Sequence, residues 1–110
     1  MAKIQCDGWW EQAGYGRQPM TSLIIEFEKG QLAGSGEDIV GRFVLNGQIQ
    51  GTNIGFRKQY VGKHAIDYHG TSDGEGGYFG DWSFDGHVGG KWSIRIRAVL
   101  DDGECSITEI

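Results

Sequence analysis

The chain has 110 residues, 20 of them glycine and one proline, with 12% aromatic residues and a net charge of −5 at a pI near 5.0. A single domain over residues 1–110 is expected, large enough for one hydrophobic core. Its aromatic content excludes a disordered chain, its glycine content disfavours helices, and its acidic balance excludes a nucleic-acid binder, which needs a basic face for phosphates.

No stretch approaches the ~20 apolar residues that cross a bilayer, and the N-terminal MAKIQCDGWW lacks the charged and apolar regions of a signal peptide. The expectation is a cytoplasmic chain with no membrane partner. Cys6 and Cys105 lie near opposite ends of the sequence. A closed barrel can bring such ends together, but two reduced thiols are the expectation in the cytoplasm, and neither has the C-x-x-C spacing of a metal or redox motif.

The first strand is expected within residues 8–15, where adjacent Trp9 and Trp10 must point to opposite faces, so only one enters the core. Gly16, Arg17, Gln18 and Pro19 are read as the following connection, because proline cannot donate to a ladder. Residues 20–28 alternate, with Leu23, Ile25 and Phe27 on one face and Ser22, Ile24, Glu26 and Glu28 on the other. A turn at Lys29 and Gly30 then sets Phe27 against Leu32, Ile25 against Gly34 and Leu23 against Gly36. Large residues facing glycines suit a sheet that curls around a narrow interior. After a turn near Gly36, Glu37 and Asp38, the residues Ile39, Gly41, Phe43 and Leu45 share a face. Asn46 and Gly47 follow, read as a type I′ hairpin turn. That turn would bring Gln48, Gln50 and Thr52 inward with Ile54.

Residues 54–70, IGFRKQYVGKHAIDYHG, admit one hairpin register that satisfies both faces. With Val61, Gly62 and Lys63 as the connection, Phe56 faces Tyr68, Lys58 faces Ile66, Tyr60 faces His64, and Arg57 meets Asp67 on the outer side. A one-residue slip would set Phe56 against Asp67 and mix the faces. Residues 69–77, HGTSDGEGG, read as a loop without an apolar anchor. Tyr78, Gly80, Trp82 and Phe84 then alternate with Phe79, Asp81 and Ser83. After residues 85–90, Trp92, Ile94, Ile96 and Ala98 alternate with Ser93, Arg95 and Arg97, and residues 105–108 can add a short edge strand. The expected fold is all-β: a single antiparallel up-and-down β-barrel of about eight strands, with a two-sheet β-sandwich as the alternative.

Gly8, Trp9 and Trp10 in the first strand, with Arg95 or Arg97 in the last, resemble the calycin barrels: lipocalins, fatty-acid-binding proteins and avidins. The resemblance implies that Trp10 closes one barrel end beneath Arg97, which stacks over the indole as a cation–π lid. It supplies no activity, and the biotin-binding residues of avidins do not map onto this chain. The pattern P-M…G-x-G-x-D…K-Q-Y-x-G-x-H…Y-x-G is also similar to that of small barrel domains of unassigned function.

The inward face of the 54–70 hairpin carries groups that are costly to bury. Lys58 needs a partner or a route to water, Tyr60 and His64 pair at the hairpin tip, and Tyr68 lies deeper on the same face. Converging polar groups in an apolar setting are the usual form of a small-molecule site. Lys58, Tyr60, His64, Tyr68 and Trp82 are therefore the candidate ligand-binding residues, for a small apolar molecule with a polar or anionic head. This reading requires a lumen with space beside Lys58. The bland alternative is a Lys58 that snorkels to the barrel mouth beside an ordinary His–Tyr hydrogen bond. A second functional reading is a cofactor-independent isomerase or cyclase with His64 as base and Lys58 or Tyr60 as acid. A third is an interaction or assembly domain, possible as a homo-oligomer through an outer patch of Trp9, Phe79 and Ile24. His64, His69 and His87 lack zinc spacing, and no nucleophile or cofactor motif occurs, so neither a metal nor a cofactor is expected.

Overall fold

Period-two apolar alternation interrupted by glycine-bearing turns divides the chain into eight strands. They are β1 (Ala2–Gln12), β2 (Gly16–Glu28), β3 (Gln31–Glu37), β4 (Arg42–Gln50), β5 (Asn53–Tyr60), β6 (Ala65–Ser72), β7 (Gly77–Phe84) and β8 (His87–Leu100). The structure, a computed structural model, describes residues 2–100. Residues 105–108 and Cys105 lie outside the described residues. Each strand pairs antiparallel with its chain neighbours, and β1 pairs with β8, so the meander closes into the single up-and-down barrel that the alternation predicts. Closure leaves every strand with two neighbours and so removes the exposed edges that a second sheet would otherwise have to cover. Among the described residues there is no helix, hence none long and apolar enough to cross a membrane.

The hairpin of β5 and β6 has the expected register, with Phe56 opposite Tyr68, Lys58 opposite Ile66 and Arg57 opposite Asp67. Arg57 Nε donates to Asp67 Oδ1 at 3.3 Å on the exposed side. Of the two adjacent tryptophans, Trp10 enters the core and Trp9 stays outside, where the Arg17 guanidinium lies 3.7 Å from its ring centroid.

Four local readings are corrected by the structure. The first connection is residues 13–15, and Gly16 to Pro19 belong to β2. β3 ends at Glu37 opposite Thr21, so one side of β2 has no partner beyond that point and a proline at position 19 is tolerated. Next, β2 carries a bulge: Cys6 faces Leu23 while Gly8 faces Met20, and Ser22 takes a φ of 52°. The extra residue lets Met20 and Leu23 both point inward, which strict alternation forbids. It also removes the expected pairing of Leu23 with Gly36, while Phe27–Leu32 and Ile25–Gly34 hold. Further on, β6 extends to Ser72, so the glycine-rich connection shrinks to residues 73–76, and the next turn is Asp85 and Gly86 alone.

The fourth correction is the largest. β4 runs straight through Asn46 and Gly47, which face Arg57 and Phe56 on β5. The turn comes instead at Gly51 and Thr52, with Gly51 at a φ of 65°. Glycine is required at position 47 for proximity: a Cβ there would strike the Gly55 carbonyl and the Phe56 Cβ. Gln48, Gln50 and Thr52 are accordingly exposed, Ile49 packs on the core, and Ile39 is 74% exposed in the preceding turn. Asn46→Val tests this placement. On an exposed strand position it should leave the unfolding free energy, read from urea titration, within about 0.5 kcal/mol of wild type. In a type I′ turn a β-branched residue at positive φ would be clearly destabilising.

Candidate functional site

The site is built at the barrel end where β1 and β5 finish and β4 begins. The turn between β3 and β4 folds over this end. Asp38 and Gly41 exchange backbone hydrogen bonds of 3.0 and 3.1 Å, and the Val40 amide donates to Asp38 Oδ1 at 2.9 Å. This side chain-to-backbone bond is what aspartate offers a turn. It also fixes the carboxylate so that Oδ2 points inward. There Oδ2 accepts from Trp10 Nε1 at 3.0 Å, from Lys58 Nζ at 2.5 Å and from the Tyr60 hydroxyl at 2.7 Å.

Among the described residues, Lys58 is the one charged residue buried as a whole, at 0% exposure, and the Asp38 side chain beside it is equally inaccessible. Its ammonium donates to Asp38 and, at 3.2 Å, to the Tyr68 hydroxyl, and it sits 4.4 Å from the Phe43 ring centroid. Aromatic faces on the remaining side partly replace lost water. Burial pulls the Lys58 pKa down to about 8, against the opposing pull of Asp38. Burial alone would raise the Asp38 pKa, but the hydrogen bond and charge of Lys58, with Tyr60 and the Val40 amide, outweigh it and hold the carboxyl below its usual 3.8. Tyr60 and Tyr68 are pushed far above the ordinary phenol range by burial and then by Asp38, so both stay protonated.

Beside this network lies a partly open chamber of about 90 Å³. Its inner wall is Trp10, Tyr60, Tyr68 and Trp82, and Ile66, Val40, Gln12 and His64 complete it toward the rim. Trp82 reaches its place because Gly89 and Gly90 on β8 leave room: a Cβ at Gly89 would strike the indole ring, and one at Gly90 would strike the Glu11 carbonyl. The indole N–H thereby donates to Glu11 O at 2.9 Å, and the ring meets Trp10 edge-on at 6.1 Å. The chamber shares Gln12, His64, Ile66 and Trp82 with a shallower hollow bordered by Phe84, His87 and Val88. Phe84 and Val88 are 47% and 72% exposed.

Of the five candidate residues, Tyr60, His64, Tyr68 and Trp82 meet around the chamber, and Lys58 does not line it. The space expected beside Lys58 is filled by aromatic rings, so the expectation of a lumen at Lys58 is corrected: Lys58 neither snorkels to solvent nor presents a free ammonium, and the open space is instead the chamber lined by Tyr60, His64, Tyr68 and Trp82. His64 is exposed, 5.2 Å from the Tyr60 ring and 5.3 Å from the Phe84 ring, and its ring makes no hydrogen bond among the described residues. Tyr60 is bonded to Asp38, leaving the acid–base pairing of His64 with Lys58 or Tyr60 unformed. Asp38 is the member that sequence reading missed. A buried lysine demands a carboxylate, and the G-x-G-x-D run ending at Asp38 held it.

The cation–π lid implied by the calycin resemblance is corrected. Arg97 occupies a bulge of β8 opposite Gln5 and Cys6, whereas Trp10 faces Trp92, so the two stand at different heights. Arg97 Nε is 3.5 Å from Asp7 Oδ1 on the exterior. The outer apolar residues also separate: Trp9 and Phe79 border one groove and Ile24 another. Comparison with protein-family models, with curated proteins and with solved structures gives no match to the chain.

Proposed function

We propose that this is a small-molecule-binding barrel of calycin-like type, which takes a compact polar head into the chamber and lays an apolar body over the hollow outside it. The observation that carries this reading is that the two spaces adjoin and share Gln12, His64, Ile66 and Trp82 as walls, with an aromatic inner wall and exposed Phe84 and Val88 beyond. An apolar cleft with few polar groups is the ordinary setting for such a ligand. Binding is favoured over acid–base catalysis because Lys58 and Tyr60 both donate to Asp38. The buried Cys6 thiol suits a reducing compartment such as the cytoplasm.

Native mass spectrometry of freshly purified protein tests the reading, with Val40→Trp as the blocked control. The expected result is a small-molecule adduct on the wild type that is lost from the variant at unchanged melting temperature. Small-molecule fragments that bind both proteins equally, with no wild-type adduct, would overturn it.

A further inference from the structure

Among the described residues, Tyr68 is the one member of the chamber's inner wall whose donor has no acceptor, since Trp10, Tyr60 and Trp82 each give theirs to the protein. Tyr68 is 1% exposed and is held by Phe56, stacked at 4.9 Å, and by Trp92 at 5.4 Å. Its hydroxyl oxygen accepts from Lys58 Nζ at 3.2 Å. A phenol has one proton to give, and no acceptor for it stands within hydrogen-bond distance among the described residues. A donor left unpaired in an aromatic wall is costly until something accepts from it, and the bond it already receives from an ammonium makes it a stronger donor.

The charges restrict what can arrive. Asp38 cancels Lys58, and the lysine protons are directed at Asp38, Tyr68 and the Phe43 face. An entering carboxylate would lose its hydration without meeting an uncompensated positive charge. An entering ammonium would approach Lys58. An alcohol can accept from Tyr68 but brings a hydroxyl proton of its own that needs an acceptor in turn. A carbonyl oxygen accepts and brings no proton. Resting on the reading of the chamber as a binding site, we infer that the ligand head is a neutral carbonyl, a ketone or aldehyde, hydrogen-bonded by Tyr68. The rest of the ligand lies toward the rim, where His64 and Gln12 carry polar groups not bonded to other described residues.

Three probes of one shape separate these possibilities: acetophenone, ethylbenzene and benzoate, titrated against ¹⁵N-labelled protein while the indole N–H signals of Trp10 and Trp82 are followed. Acetophenone should bind about tenfold tighter than ethylbenzene, the yield of one net hydrogen bond, and benzoate weakest. Tyr68→Phe should bring acetophenone down to the ethylbenzene level and leave ethylbenzene unchanged, which also shows that the variant keeps its chamber. Equal binding of acetophenone and ethylbenzene, tightest binding of benzoate, or a preference that survives Tyr68→Phe would overturn the carbonyl assignment and leave the binding site standing. If no probe moves either indole signal, the binding reading falls and the carbonyl assignment with it.

Discussion

Asp38→Ala is expected to destabilise the barrel by about 3–5 kcal/mol, the usual cost of leaving one partner of a buried ion pair alone. That is a large part of the about 5–15 kcal/mol that a domain of this kind has in total. The loss is concentrated because one carboxylate serves Trp10, Lys58, Tyr60 and the Val40 amide together. Asp38→Asn with Lys58→Met should recover most of the stability, since it removes the charge and leaves an oxygen for Trp10 and Tyr60; urea midpoints of the variants measure both effects. The pH dependence has a definite sign. The Asp38 pKa is lower in the folded chain than the ordinary 3.8, so its contribution is complete above that value and is lost as pH falls through the lowered one. The double variant should lack this part of the acid limb. A cost below about 1 kcal/mol for Asp38→Ala would mean that the network is not what closes the barrel end.

Gly80→Ala is the other severe substitution. Gly80 and Gly70 face each other across β6 and β7, and a Cβ on Gly80 would strike the His69 carbonyl and come within 2.5 Å of the Gly70 Cα. Both obstacles are backbone, so no rotamer change relieves them. The strands must part, and with them the carbonyls of His69 and Asp81, which accept from Trp92 Nε1 at 3.2 and 3.1 Å. Overpacking plus those bonds amounts to about 3 kcal/mol or more. Gly55→Ala is the contrast: its nearest neighbour would be the His69 ring at 3.4 Å, an ordinary contact. The reduced freedom of the unfolded chain should make that change neutral or stabilising by about 0.5 kcal/mol. Thermal melts of the two variants side by side decide the matter, and similar melting temperatures would refute the close-approach account.

Glycine serves both close approach and turning in this chain, which is why parts of the sequence are readable and others mislead. The 54–70 hairpin was legible because one register alone kept Phe56, Ile66 and Tyr68 together while pairing Arg57 with Asp67. Asn46 and Gly47 misled because a glycine that admits a neighbouring strand looks the same in sequence as one that turns the chain. Met20 was invisible to period-two reasoning, since a single inserted residue at Ser22 reverses the parity. The chamber was legible in four of its members through the inward face of two strands and Trp82. Asp38 escaped because it lies in a turn, where alternation carries no information, and only the chemistry of its partner points to it.

A closed ladder of hydrogen bonds fixes the circumference of a barrel but not the shape of its cross-section, which can flatten into an ellipse without breaking a bond in the ring. In a ring of eight, β1 and β5 stand diametrically opposite, and the Asp38 oxygen that joins Trp10 to Lys58 and Tyr60 spans that diameter. It acts as a spoke. The width of this end is therefore set from within, and the chamber beside it has a fixed bore; under the proposed binding role it would select a ligand by size rather than adapt to many.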